Sequence, residues 1–185
     1  MSSTTQIPGY LAGTWDIDAT HSTVGFSVRH MMVSKVRGYF TKFDGVIVTA
    51  ADPAASTVEA SIDMDSIDTR QEQRDAHIKS ADFFDTGNHT VMTFRSTGIK
   101  AKGDDWTVEG ELTIKGITKP TTLSLELNGF GPDAYGGTRA GFTGKTDISR
   151  KEFGVDIDMP MDGGGVVVGD KISVELEIEA VLRAA

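Results

Sequence analysis

The sequence predicts an all-β protein of about eight antiparallel strands with one short helical insertion. Apolar and polar residues alternate along most of the 185 residues, which is the period of two expected of strands with one buried face. The alternation breaks clearly only between Asp68 and Phe84, where helix-forming residues replace it. The 21 glycines suit a chain with many turns. Two architectures fit this pattern: a barrel, which can enclose a ligand, and a sandwich, which has no such space.

The alternating segments follow one another from Trp15 to the end of the chain. They cover residues 15–17, 24–30, 38–48, 58–64, 91–97, 106–114, 123–127, 140–146 and 172–182. In the second segment, Phe26 and His30 share the face that we expect to point inward. In the third, Phe40 and Phe43 are three residues apart and share a face only if a bulge intervenes, with Gly45 as a candidate position. The last segment is apolar on one face and acidic on the other, which discourages edge pairing with another chain.

The break in the alternation predicts one short helix over Gln71–Lys79. Asp68 or Thr69 is expected to cap its first N–H groups. A helix of roughly nine residues does not persist alone in water, so we expect Phe83 and Phe84 to anchor it.

A cationic face is predicted on this helix. At 3.6 residues per turn, Arg70, Arg74 and His77 lie on one side and could hold an anion. The alternative is that Arg74 pairs on a solvated surface with a neighbouring acid, namely Glu72, Asp75 or Asp82.

Charge and composition exclude several classes of function. The net charge of −9 argues against nucleic acid as a partner and against an anionic membrane surface. The absence of cysteine excludes disulfides, thiolate catalysis and cysteine-based metal sites. The N-terminus lacks the pattern of a secretory signal, and no apolar run is long enough to span a bilayer, so we expect a cytoplasmic protein without an integral membrane segment. Residues 1–13 are expected to form a flexible tail, and residues 14–185 a single domain.

Motifs for metal, cofactor or catalysis are missing from the sequence. The four histidines show neither the i, i+4 spacing of a helix nor the H-x-H spacing of a strand that brings two imidazoles to one ion (His21, His30, His77, His89). The acidic run at 156–162 resembles a calcium loop only loosely, because Pro160 stands at a ligand position. No phosphate-binding glycine loop or serine-nucleophile elbow is present. We therefore expect no metal, no cofactor and no catalytic residues.

Five motifs occur in the order found in a known family. They are WDIDATHSTVGFSVRH at 15–30, GYF with FDG at 38–45, RDAHIKSADFFD at 74–85, GELTIKGITKP at 110–120 and ISRKEFGV at 148–155. From about Thr14 to Leu182 the chain resembles the YceI-like, polyisoprenoid-binding family. The resemblance implies a lipocalin-like extended antiparallel β-barrel whose apolar interior holds a long isoprenoid or other acyl amphiphile, without catalysis. Many members carry a secretory signal, and this sequence does not show one.

The resemblance implies a lipid-binding barrel that stores, transports or sequesters its ligand. The ligand would be a polyisoprenoid, an isoprenoid quinone precursor or a fatty-acid derivative. Its tail is expected along Phe26, Val28, Phe40, Phe83, Phe84, Phe94, Leu112, Leu123, Leu125 and Phe142. Its head group is expected at Arg70, Arg74, His77 and His30.

Two other functions remain open at this point. One is an enzyme that acts on a small hydrophobic substrate in the same cavity with His30 or His77 as base, and the other is a structural module with a solid core. Periodicity cannot distinguish a hollow barrel from a packed one. The sequence also leaves open whether the chain forms a homodimer.

Overall fold

The chain folds mainly into β-strands with one α-helix, in a computed structural model that describes residues 7–157 and 168–184. The strands are β1 (Gly13–Ile17), β2 (Thr23–His30), β3 (Ser34–Phe40), β4 (Phe43–Thr49), β5 (Thr57–Asp63), β6 (Ile67–Asp68), β7 (Val91–Lys102), β8 (Asp105–Ile114), β9 (Ile117–Pro132), β10 (Thr138–Ser149) and β11 (Val168–Leu182). The helix α1 spans Glu72–Lys79, and short 3-10 helices cover Pro53–Ala55, Met64–Ser66 and Arg150–Phe153.

Eight of these strands close an antiparallel barrel. Their order is β1, β4, β5, β7, β8, β9, β10 and β11, and the barrel closes where β1 pairs with β11. The predicted barrel with one helical insertion is therefore confirmed, and the sandwich is excluded. Because the sheet closes on itself, the backbone N–H and C=O groups at its two edges pair with each other.

The remaining strands extend the barrel wall at one end. β11 pairs with β1 near its C-terminus, through Ala180–Leu182, and with β2 along its N-terminal part. The β1 and β2 strands therefore follow each other along β11, separated by residues 18–22. β3 pairs with β2, and the two-residue β6 pairs with the end of β3. The β2–β3 hairpin consequently prolongs the wall beyond the closed barrel.

The region 38–48 contains two strands and not one. β3 ends at Phe40 and β4 begins at Phe43, so Thr41 and Lys42 connect them and both phenylalanines can point inward without a bulge. Gly45 pairs regularly with Ala60 of β5, which excludes it as the site of a bulge.

An aromatic cluster closes the upper end of the barrel, where β1 begins and β11 ends. Tyr10 packs against Trp106 and Phe130 at ring-centroid distances of 6.3 and 5.5 Å, and Trp15 lies 5.4 Å from Phe130. Ile7 is buried in the same core. Within the segment 1–13, which was expected to form a flexible tail, apolar burial therefore holds Ile7 and Tyr10 against the barrel, while residues 8, 9, 11 and 12 are exposed.

The opposite, lower end carries α1, the 3-10 helix at Arg150–Phe153 and the tip of the β2–β3 hairpin. Strand directions place them together, because β2, β5, β6 and β10 all end at this side of the sheet. The α1 helix is capped by Gln71, whose side chain accepts a hydrogen bond from the Arg74 N–H. The expected caps, Asp68 and Thr69, precede the helix by too many residues to fill this role. Within the described ranges, no helix is long and apolar enough to cross a membrane.

Candidate functional site

The barrel is hollow. A cavity of about 340 Å³ lies in its interior, with a wall that is almost wholly apolar. It borders β11 from Ile172 to Ile178, which is about 20 Å of regular strand at 3.3 Å per residue, and it reaches Val168 beyond an irregularity that precedes Ile172. The aromatic cluster at the upper end lies beyond Phe142, so the cavity ends there and extends towards the lower end. An interior of this shape suits an elongated apolar molecule.

All ten residues expected to contact a ligand tail border this cavity. Phe26 and Val28 contribute from β2, Phe40 from β3, Phe94 from β7 and Leu112 from β8. The other five come from β9, β10 and the segment after α1, namely Leu123, Leu125, Phe142, Phe83 and Phe84. Side chains alternate between the two faces of a strand, so parity in the sequence was sufficient to place the strand residues on the inner face.

The helix α1 presents Arg74, His77 and Ile78 to the cavity from the lower end. The Arg74 Nε donates to the Thr69 hydroxyl at 2.8 Å, and its Nη2 donates to the Thr69 carbonyl at 2.7 Å. These bonds fix the guanidinium against the cavity wall. Arg74 forms no ion pair with a described acid, so the expected alternative pairing with Glu72, Asp75 or Asp82 is not found.

His77 lies beside Arg74 on the same face of α1. Its Nε2 is 3.1 Å from Asp82 Oδ2, and its ring meets Phe83 edge-on at a centroid distance of 4.9 Å. Phe83 is buried, so the ring contact anchors the histidine over the apolar interior.

Arg70 lies outside the cavity lining, contrary to the helical spacing from which it was inferred. The helix begins only at Glu72, and Arg70 has a left-handed φ of 64°. Its backbone N–H donates to Asp68 Oδ1 at 2.7 Å in a local turn. The turn breaks the helical phase, so Arg70 does not share a face with Arg74 and His77.

His30 borders the cavity at the end of β2, together with its neighbour Arg29. This part of the wall belongs to the hairpin that extends beyond the closed barrel. His30 therefore lies at the lower margin of the cavity, on a different element from Arg74 and His77.

Arg150 also borders the cavity; it lies in the motif ISRKEFGV but was not among the residues expected at the site. Only 3% of its surface is exposed, and three of its nitrogens donate to the carbonyls of Gly169, Val155 and Val168. The guanidinium thus joins the chain before residue 156 to the start of β11. The alternation along β10 could have revealed it, because even-numbered residues from 142 to 148 face inward and residue 150 continues that parity.

A separate charged cluster lies outside the cavity, around Arg139. Its Nη1 donates to Asp18 at 2.8 Å and to Glu179 at 3.2 Å, and its Nε donates to Asp133 at 2.9 Å. The hydrogen bonds from Arg139 and then from His21 hold the pKa of Asp18 well below its usual value. The N–H groups of Gly137 and Tyr135, followed by Arg139, lower the pKa of Asp133.

The same cluster contains the one group of potential metal ligands found in the described part of the chain. One oxygen or nitrogen each from Asp18, His21 and Glu179 lie within 4.8 Å of one another. Arg139 already donates to both carboxylates, so a cation would have to compete with a guanidinium. Residues 158–162 of the acidic run considered as a calcium loop lie outside the described residues.

Comparison with known proteins gives consistent relatives. The family model for the YceI-like domain matches residues 15–180. Protein YceI of Escherichia coli O17:K52:H18 is 40% identical over 145 residues, which cover 78% of this chain and 76% of the relative. A UPF0312 protein of Vibrio cholerae serotype O1 is 37% identical over 170 residues, which cover 91% and 86%.

Solved structures share the fold. BcnA from Burkholderia cenocepacia superposes with a TM-score of 0.76 at 24% identity, over 88% of this chain and 98% of that one. A polyisoprenoid binding domain from Saccharophagus degradans superposes with a TM-score of 0.71 at 16% identity, over 94% and 100%. The family match extends over most of the barrel, and each of the five motifs noted in the sequence contributes residues to the cavity wall. The chain therefore belongs to the YceI-like family, as the resemblance in the sequence indicated.

Proposed function

We propose that the protein is a carrier that holds one long-chain amphiphile in the barrel cavity and returns it unchanged. The observation that supports this most is the apolar cavity itself, which borders β11 from Val168 to Ile178 and is closed at its upper end by aromatic rings. Water in such an interior has few partners, so an apolar chain would replace it favourably.

The tail would supply most of the affinity. Burial of a methylene contributes about 0.8 kcal/mol, so ten methylenes contribute on the order of 8 kcal/mol before the costs of ordering the chain. A polyisoprenoid, an isoprenoid quinone precursor or a fatty-acid derivative has a chain of this kind. The likeness to a domain described as polyisoprenoid-binding favours the first class.

The head group would lie at the lower end, near Arg74, His77 and His30. Arg74 and His77 share the face of α1 that borders the lower end of the cavity, and His30 borders it from β2. Arg74 retains an Nη1 without a partner among the described residues, and an anionic or polar head could accept from it. Arg70 is not part of this proposal, because it does not border the cavity.

Extraction of the native protein tests the proposal. Protein purified without detergent from two unrelated expression hosts is extracted with organic solvent and analysed by mass spectrometry. We expect a stoichiometric amphiphile that is chemically unaltered, and a rise in Tm when polyprenol, quinone or fatty amide is added to stripped protein. Ligand-free protein from both hosts, together with no Tm shift for any added lipid, would overturn the carrier function. Conversion of the added lipid would indicate an enzyme.

A further inference from the structure

The tip of the β2–β3 hairpin exposes three consecutive apolar side chains. Met31, Met32 and Val33 are 44, 53 and 86% exposed. The Val33 N–H donates to the His30 carbonyl at 3.2 Å, and this bond closes a turn whose two central residues have φ values of 52° and 63°. Positive φ at both positions is typical of a type I′ turn, for which Asn-Gly is favoured. Two methionines there are unfavourable both for the backbone and for solvation, so folding stability does not account for them.

The outer face of the same hairpin is cationic. Arg29, which also reaches the margin of the cavity and donates from Nη1 to the Met32 carbonyl at 3.3 Å, is paired directly with Lys35 across the two strands. Ser27 is paired with Arg37. Like charges at directly opposed positions destabilise a strand pair. This arrangement is again unfavourable for the isolated hairpin, and it stands out in a chain with a net charge of −9.

Nearby carboxylates are engaged elsewhere. Asp147 Oδ2 is 3.5 Å from the Nζ of Lys171, and both oxygens of Asp170 accept from the Ser149 hydroxyl at 2.7 and 2.9 Å. The acidic residues of β11 that pair closest to β2 face Gly25 and Thr23, at the other end of the strand from the tip. Between Ser27 and Arg37 the hairpin itself carries three arginine or lysine residues and no carboxylate, so its own charge is positive.

The hairpin is also continuous with the cavity. Val28, His30 and Val36 point inward from it and line the lower end, while Lys35 and Arg37 alternate with them on the outside. A surface bound at the tip would thus lie next to the end of the cavity that is not closed by aromatic rings.

We propose that the apolar tip and cationic outer face of the β2–β3 hairpin bind the surface of a bilayer that contains anionic lipid, with Met31, Met32 and Val33 inserted among the head groups. The apolar side chains match the acyl boundary, and the cations match the lipid phosphates. The inference goes beyond the proposed function, because docking can occur whether or not the cavity holds a lipid.

The net negative charge of the whole chain does not oppose this docking strongly. The Debye length at physiological ionic strength is about 8 Å, so charges farther than that from the surface are largely screened. The cations of the hairpin approach the lipid first when the tip inserts. The net charge of −9 describes the average surface of the chain, and the fold concentrates the opposite charge at the hairpin.

Vesicle flotation of the full chain tests the inference. Wild type is compared with the double variant M31N/M32G on vesicles of phosphatidylcholine and phosphatidylglycerol in equal parts, and on phosphatidylcholine alone. We expect wild type to bind the anionic vesicles, and we expect M31N/M32G to bind them about tenfold or more weakly. The variant supplies the preferred residues of a type I′ turn, so its Tm should be equal or higher. Wild-type binding should decrease at about 1 M salt, where the Debye length is about 3 Å.

Matched controls separate docking at the tip from a general loss of exposed apolar surface and from lipid binding in the cavity. Tyr135 is 87% exposed in a loop at the upper end, so Tyr135→Ser removes a comparable apolar side chain and should leave flotation unchanged. K35E/R37E should lose binding to anionic vesicles by about tenfold or more. Binding of soluble short-chain lipid should stay unchanged in M31N/M32G, which distinguishes failed docking from a failed carrier function.

Three outcomes would each overturn the proposal. The first is wild type that does not float, and the second is equal flotation of wild type and M31N/M32G. The third is a wild-type dimer in light scattering that M31N/M32G dissociates without any vesicle binding.

Discussion

Leu125 and Leu127 point into the barrel from the same face of β9, two residues apart, yet only Leu125 borders the cavity. Leu127 is 5% exposed and belongs to the packed core, where it is paired with Phe142 of β10. Leu125 packs on the core with one side and faces open space with the other. The boundary between solid and hollow interior therefore passes between these two leucines.

This boundary gives opposite expectations for the same substitution at the two positions. Leu125→Trp should place the added ring in the cavity, which leaves Tm unchanged or higher and abolishes binding of a long-chain lipid. Leu127→Trp should overpack the core and lower the free energy of unfolding by about 1–3 kcal/mol. Thermal unfolding and a lipid-binding titration measure both effects. Equal destabilisation by the two variants would show that the barrel is solid at Leu125 in solution.

The position of Arg74 predicts a preference for charged head groups. Arg74→Gln removes a positive charge at the lower end of the cavity, and a charge-assisted hydrogen bond contributes about 1.5–3 kcal/mol. The affinity for a polyprenyl pyrophosphate should therefore decrease about tenfold or more, while that for the neutral polyprenol changes little. Lys79→Gln is the control, because it removes the same charge from α1 at a residue that does not border the cavity.

Equal losses for both ligands would give Arg74 a different role. The two hydrogen bonds to Thr69 would then matter because they hold α1 against the barrel, and the head-group assignment would be wrong. Comparison of fluorescence titrations for the two ligands makes this distinction directly.

The charged cluster at Arg139 predicts how stability depends on pH. The pKa values of Asp18 and Asp133 are lowered in the folded state, so their ionised forms stabilise the fold above the unfolded pKa of about 4. This stabilisation is lost as the pH falls from about 4 through the lower folded values. Arg139→Gln should therefore lower Tm at neutral pH, and the difference from wild type should shrink as the solution is acidified. A difference in Tm that stays constant from pH 7 to below pH 3 would contradict this origin.

The inner wall of the barrel could be predicted from the sequence because strand parity is a local property. Phe26 and Leu125 follow from alternation alone, whatever their distant neighbours are. Arg70 was misplaced because the left-handed turn before α1 depends on a hydrogen bond to Asp68, which the helical period does not contain.

Features that depend on distant contacts could not be predicted in this way. Tyr10 packs against the rings of Trp106 and Phe130, and no local pattern in the sequence predicts these partners. The hollow interior is likewise a property of how eight strands close, since the same apolar residues would fill a narrower barrel. The exposed Met31 is visible in the sequence as an apolar residue, but only the turn shows that it faces water.

The two tryptophans at the upper end provide a last prediction, because they are buried alike but bonded differently. Trp15 is 1% exposed, and its Nε1 donates to the Thr49 hydroxyl at 2.8 Å. Trp106 is 4% exposed, and among the described residues its Nε1 has no hydrogen-bond partner. A buried donor without a partner costs about 1–3 kcal/mol, and this cost disappears when the indole is replaced by a phenyl ring.

Both Trp→Phe substitutions remove similar apolar volume, so the difference between them isolates the N–H group. Trp15→Phe is destabilised by the cavity that it creates and by the loss of a hydrogen bond, although Thr49 keeps its bond from the Gly13 N–H. Trp106→Phe is destabilised by a similar cavity, but it also removes a buried N–H that has no partner among the described residues. We expect Trp106→Phe to be less destabilising by about 1–2 kcal/mol in urea unfolding. Equal destabilisation would mean that a buried water pairs with Trp106 in solution, since such a water would supply the missing acceptor.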